Sequence, residues 1–104
     1  MTFEEYMKTC GVFADRIHAA RADMSLPGLE AQRDLAQELM LFLLSAENLE
    51  DNPIDPLEWA TQIAEEIDRM SAFSVWLERW IQVKQEDLLV QEMIETSGAI
   101  QPIH

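Results

Sequence analysis

Apolar residues in this chain recur in steps of three and four, the spacing of an α-helix. Phe3, Tyr6, Cys10, Phe13, Ile17, Ala20 and Met24 share one narrow face, with Arg16, Arg21 and Asp23 largely off it. Thr2 followed by Glu5 makes a capping box at the start of this first helix, and Ser25-Leu26-Pro27-Gly28 ends it. A second helix is predicted from Pro27 to about Asn48. Its first half is amphipathic, whereas Met40 to Leu44 is apolar around the whole circumference. That turn has to be covered on all sides, at the centre of a bundle or at a subunit interface. Glu50 to Asp55 is acidic, carries Pro53 and reads as the principal loop.

Asp55-Pro56-Leu57-Glu58 joins an N-cap, a proline at the first helical position and a reciprocal Glu, the clearest helix start in the chain. Nothing from Pro56 to Thr96 forbids a helix, and Gly98 is the expected stop. A straight helix of that length runs about 60 Å, whereas a compact domain of this size has a radius of gyration near about 13 Å. The expected resolution is a break near Gln85, or around Ser71–Ser74; otherwise the molecule is elongated and pairs with something. Trp59, Ile63, Met70, Phe73, Trp76, Leu77, Trp80, Ile81 and Val83 sweep out more than half of the helical wheel, where one neighbour needs about a third. Either two neighbours in the same domain hold this helix, or part of its surface, Trp76 and Trp80 above all, meets another chain. The fold expected is all-α: a compact bundle of three to four helices in a single domain over 1–104, with one long C-terminal helix as a variant and 98–104 as a tail.

Charge sharpens this picture. The 104 residues carry a net charge of −13. Asp34, Glu38, Glu47, Glu50, Asp51, Asp55, Glu58, Glu65, Glu66 and Asp68 follow one another without an intervening Lys or Arg. Segment 69–84 is net positive through Arg69, Arg79 and Lys84, and the remainder is acidic again. Such a field repels nucleic acid and anionic membranes and attracts cationic surfaces or metal ions. Glu30, Asp34 and Glu38 sit one turn apart, opposite Leu39 and Leu43, with no i,i+4 cation partner. A solvated face is the ordinary meaning of such a stripe; mutual repulsion predicts a melting temperature that climbs with salt and on mild acidification.

Carboxylates are also the abundant hard ligands here. Glu47-x-x-Glu50 and Glu65-x-x-Asp68 form an ExxE…ExxD pattern, and residues three apart on a helix share a face. With the opening Met1-Thr2-Phe3-Glu4-Glu5-Tyr6 and the segment Ala64-Glu65-Glu66-Ile67-Asp68, the chain resembles the MazG-like all-α nucleotide pyrophosphohydrolases over about a tenth of its length. That resemblance implies Mg²⁺-dependent cleavage of a nucleoside triphosphate to monophosphate and diphosphate, with Glu47, Glu50, Glu65 and Asp68 as metal ligands. The chain departs from the family pattern in lacking its Gly-Glu-Leu and in its sparse basic residues, Arg69, Arg79 and Lys84.

The other reactive residues are few. Cys10 lies on the apolar face of the first helix, where buried packing is its expected role. His18 at the edge of that face and His104 at the terminus form no pair. Nothing supplies a nucleophile triad, a glycine-rich phosphate loop or a basic recognition helix, so no catalytic residue is assigned. Residues 1–6 lack a basic stretch followed by an apolar run, and Leu39 to Leu44, the longest apolar run, is too short to cross a bilayer; the cytoplasm is the expected compartment.

The function expected is therefore that of a small acidic protein-binding module. It is of the inhibitor or immunity type, like DNA mimics and anti-CRISPR proteins, and docks on a basic, nucleic-acid-binding partner without touching nucleic acid or membrane itself. Its contact residues would be Asp34, Glu38, Glu47, Glu50, Asp51, Asp55, Glu58, Glu65, Asp68, Trp76 and Trp80. No cofactor is expected, Mg²⁺ entering only with the hydrolase reading. A helical homodimer acting as a structural or chaperone subunit is the third reading.

Overall fold

The first helix, α1 (Phe3–Ala20), begins at the capping box read from the sequence. The Glu5 N–H donates to the Thr2 hydroxyl at 3.2 Å, and the Thr2 N–H donates to the Glu5 carboxylate at 3.4 Å. The helix ends at Ala20, so Met24, which the spacing placed on its apolar face, lies beyond it. Local hydrogen bonding explains the early stop. The Asp23 carboxylate accepts from the Ser25 N–H at 3.0 Å and from its hydroxyl at 2.5 Å, giving the backbone an alternative to another helical turn. This chemistry holds the Asp23 carboxyl below its ordinary pKa.

Ser25 caps α2 (Leu26–Ser45) by accepting from the Gly28 N–H at 3.2 Å, with Pro27 in the first turn. This helix stops short of Asn48. Asp55 caps α3 (Pro56–Ile100) by accepting from the Leu57 and Glu58 N–H groups at 3.1 and 3.3 Å.

These features come from a computed structural model, which describes residues 1–100 and the side chains of 1–96. Three helices and no strand make up the described residues. The break expected near Gln85 or Ser71–Ser74 is absent, and α3 also continues through Gly98. No proline interrupts those stretches, so every backbone donor stays available. The 101–104 part of the expected tail lies outside the described residues. The molecule is correspondingly a rod of 76 × 21 × 16 Å with a radius of gyration of 20.3 Å, and the long-helix variant of the bundle is the one realised.

α2 is the middle of the bundle, with α1 and α3 each packed on it. The larger apolar cluster joins Tyr6, Leu43, Ala46, Trp59 and Ile63, flanked by Phe3, Leu39, Phe42 and Met70. A smaller one joins Leu29, Leu77 and Ile81 with Leu26 and Phe73. Between them, buried Gln32 donates from its amide to the carbonyls of Ala20 and Asp23, each at 3.0 Å, tying the α1–α2 turn to the body. Of the two ways of covering Met40 to Leu44, the place at the centre of the chain's own bundle is corrected: Leu41 is 68% exposed and Leu44 is also exposed. Two neighbours occupy two sides of α2 and leave its outer face wet. Among the described residues no helix is long and apolar enough to cross a membrane.

Candidate partner interface

The N-terminus of α1, the C-terminus of α2, the connecting loop and the start of α3 meet at one end of the rod. The Phe3 N–H donates to Asp51 Oδ1 at 2.7 Å, and the Glu50 N–H to the Met1 carbonyl at 3.4 Å. Beneath them the Trp59 indole N–H donates to the buried Ala46 carbonyl at 2.9 Å. The Tyr6 ring stands edge-on to Trp59, centroids 5.0 Å apart, and stacks on Phe42 at 5.6 Å. An apolar, aromatic floor thus holds the loop in place.

These ties gather Glu4, Glu5, Glu47, Glu50, Asp51, Asp55 and Glu58 at this end, all of them exposed. The cation paired there among the described residues is Lys8, 3.6 Å from Glu4. Five of the sequence-assigned contact residues (Glu47, Glu50, Asp51, Asp55 and Glu58) are thereby brought together.

Farther along, the charge is partly balanced. Glu38 lies 3.7 Å from Arg16 of α1, and Asp34 lies 3.5 Å from Arg33, which also reaches Glu78 of α3 at 3.5 Å. Glu66 pairs with Arg69. The absence of cations at helical spacing around Asp34 and Glu38 does not carry over to space, because antiparallel packing brings Arg16 across from the neighbouring helix. Of the ten carboxylates from Asp34 to Asp68, the ones without an ion pair among the described residues are therefore the five at the loop end together with Glu65 and Asp68.

Glu65 and Asp68 are exposed on α3, well inside the helix, while Glu47 and Glu50 both lie in the loop that follows Ser45, Glu47 falling outside the helix expected to hold it. Among the described residues no group of three or more Asp, Glu, His or Cys side chains is close enough to hold a metal ion. The four carboxylates of the ExxE…ExxD pattern do not assemble into a ligand set for Mg²⁺.

An open groove of about 1010 Å³ separates α1 from α3, floored by Leu39 and Leu43 and rimmed by His18, Glu65 and Arg69. On its α1 wall, half-buried Cys10 lies one helical turn from Tyr6, and both belong to the larger apolar cluster. Burial pushes both the thiol and the phenol above their ordinary pKa values, and the nearby Glu66 charge adds to this. A thiol held protonated in this way is a packing group and a poor nucleophile. His18 is exposed at the rim, and His104 lies outside the described residues.

Trp76 and Trp80, the remaining assigned residues, lie on the flank of α3 beside its buried face. They are 44% and 38% exposed, edge-to-face at 6.1 Å, with Phe73 stacked on Trp76 at 5.9 Å. Leu77 and Ile81 on the adjacent face are buried against Leu29. At this level α3 has one neighbour in its own domain, so the two-neighbour alternative does not hold. From Gln85 to Thr96 every side chain is exposed, including Leu88, Leu89, Val90, Met93 and Ile94. The signal of this second stretch in the sequence is the same three–four spacing continued beyond Val83, outside the span assigned to partner contact.

Comparison with protein families, curated proteins and solved structures finds no match to this chain.

Proposed function

We propose that this protein is an acidic helical binding module that occupies a basic surface of a nucleic-acid-handling protein, in the manner of inhibitors, immunity proteins and DNA mimics. The observation that supports this reading best is the loop-end cluster: seven exposed carboxylates on an aromatic floor, with Lys8 the one cation paired to them among the described residues. A field of one sign on a rigid support raises the rate of encounter with a basic patch and discriminates against acidic competitors. The hydrolase reading has weaker support, since its carboxylates stand apart.

The test is affinity capture from the native host at low and high salt, beside the variant carrying Glu47→Gln, Glu50→Gln and Glu58→Gln. These side chains are exposed, so the variant keeps its fold. The expected result is a salt-sensitive nucleic-acid-binding protein that the variant fails to hold and that nucleic acid displaces. Capture indifferent to the substitutions, or Mg²⁺-dependent release of diphosphate from a nucleotide, overturns the reading.

A further inference from the structure

We infer that the outer face of α3 is the seam of an antiparallel dimer, and that its occupant is a second copy of this chain. Phe73, Trp76, Trp80, Val83, Asp87, Val90 and Ile94 follow one another in steps of three, four, three, four, three and four. That is the a/d repeat of a coiled coil, with Asp87 as its polar member. The repeat lies on one line along a helix that continues unbroken past the body. Among the described residues nothing covers Val90 and Ile94, at 52% and 65% exposure. Its first member, Phe73, also packs on the buried cluster of Leu29, Leu77 and Ile81, and from Trp76 onward the line runs beside that cluster in exposed positions.

Charge selects the direction. Segment 69–84 holds Arg69, Arg79 and Lys84 against Glu78, whereas 86–96 holds Glu86, Asp87, Glu92 and Glu95 and no cation. A parallel pair stacks four carboxylates on four and sets Asp87 on Asp87. An antiparallel pair with its two-fold axis beside Gln85 lays the basic segment of each copy on the acidic segment of the other. The same register opposes Trp80 to Val90, Trp76 to Ile94, and Val83 to Asp87, which then lies beside Lys84. One shift thus matches the apolar ladder and sets Asp87 beside Lys84, while next to the axis the two Lys84 and the two Glu86 side chains face their own mates and stay at the solvated edge.

The area is also adequate. Two-fifths of a tryptophan is on the order of 100 Å². With Val83, Val90 and Ile94 the stripe offers roughly 500 Å² per copy, or about 1,000 Å² for the pair. Flanking Met93 and the aliphatic stems of Arg79 and Lys84 bring the total into the range of about 1,200–2,000 Å² typical of stable association. The dimer carries its two acidic loop ends at opposite extremities.

Sedimentation equilibrium across a concentration series tests this. The chain is expected as a dimer, and Val90→Asp with Ile94→Asp, neither touching the buried clusters, is expected to weaken association roughly 30-fold or more with the α1–α2 body still folded by circular dichroism. Direction is read by mixing chains bearing Arg79→Cys and Met93→Cys, each in a Cys10→Ala background. Antiparallel packing gives the mixed disulfide, whereas parallel packing separates these positions by about 21 Å. A monomer at about 100 µM, well above Kd values of specific dimers, overturns the proposal, as do a dimer indifferent to the aspartates or the absence of the mixed cross-link. Partner capture through the loop end is a separate readout, so either conclusion can fail without the other.

Discussion

Replacing Trp59 by Phe asks whether the acidic end is held by its aromatic floor. Trp59 is 4% exposed, and its indole N–H is the donor to the Ala46 carbonyl at 2.9 Å, on a residue that is itself fully buried. Phe keeps a ring against Tyr6 but has no donor, so that carbonyl loses its partner in a site closed to water. An orphaned buried acceptor costs about 1–3 kcal/mol. The lost half of the indole adds on the order of 1 kcal/mol of packing against Tyr6 and Phe3. The sum is about 2–4 kcal/mol, a large share of the stability of a domain this small, and corresponds to a fall of roughly 10–20 °C in Tm. Urea titration followed by far-ultraviolet circular dichroism measures it, with Val12→Ala on the exposed side of α1 as the control, expected within about 0.5 kcal/mol. Should Trp59→Phe unfold at the same urea concentration as the control, the carbonyl has another partner and the floor does not organise the loop. The substitution also removes the tie on the chain segment bearing Glu47, Glu50 and Asp51, so partner capture should weaken under conditions where the variant remains folded.

Three further outcomes follow from the same contacts. The loop-end carboxylates repel one another, so Tm should rise as NaCl goes from roughly 0.02 to 0.5 M; a flat response means the charges are too widely spaced to act together. Tyr6 and Cys10 have raised pKa values when folded, so the stability they contribute is complete below the unfolded thiol value of about 8.5 and is lost as pH rises through the folded values. Tm should decline above that pH and decline less in the Tyr6→Phe, Cys10→Ala variant; equal slopes contradict the burial of the pair. The glycines should respond oppositely to alanine. At Gly11 nothing lies near an added Cβ, and Gly11→Ala should stabilise by about 0.5–1 kcal/mol. At Gly28 the added carbon would stand 2.5 Å from the Asp23 carbonyl oxygen, so Gly28→Ala should destabilise by roughly 1–3 kcal/mol in thermal melts.

What could be read from the sequence was local chemistry. Thr2 with Glu5, Pro27 in the first turn of α2, and Asp55 ahead of Pro56 all mark helix starts, because a helix start is decided by residues within one turn of it; Ser25, read as the end of α1, is in fact the cap of α2. The end of α1 was misplaced because Asp23 and Ser25 compete for the backbone through side-chain bonds that apolar spacing does not register. The break assigned to α3 came from assuming a compact body, a property of tertiary structure that no residue between Pro56 and Thr96 encodes. Arg16 opposite Glu38 was invisible for the same reason: the ion pair joins residues of two helices. Buried Gln32 was missed too, although its place three residues after Leu29 and before Leu35 puts it on the inner face.

The length of α3 has a thermodynamic consequence that joins helix order to association. Past Ile81 the helix leaves the buried clusters, and from Gln85 to Thr96 no side chain is covered by the rest of the fold. A segment of about 12–15 residues with no packing partner is marginal as a helix in water, because propensity alone scarcely offsets nucleation and fraying. The Gln82–Glu86 contact at 3.3 Å is a side-chain hydrogen bond one turn apart and contributes only tenths of a kcal/mol. If the seam through Val83, Val90 and Ile94 closes on a second copy, helix order and dimerisation are one linked equilibrium. Helical ellipticity per residue should then rise with protein concentration along the same curve as the dimer fraction, and amides of 86–96 should gain exchange protection with it. Val90→Asp with Ile94→Asp should abolish both changes while leaving the amides of Leu35, Leu43 and Ile63 protected. Ellipticity that stays constant while the dimer fraction changes would show that this stretch is ordered without a partner, and would separate the length of the helix from the seam it carries.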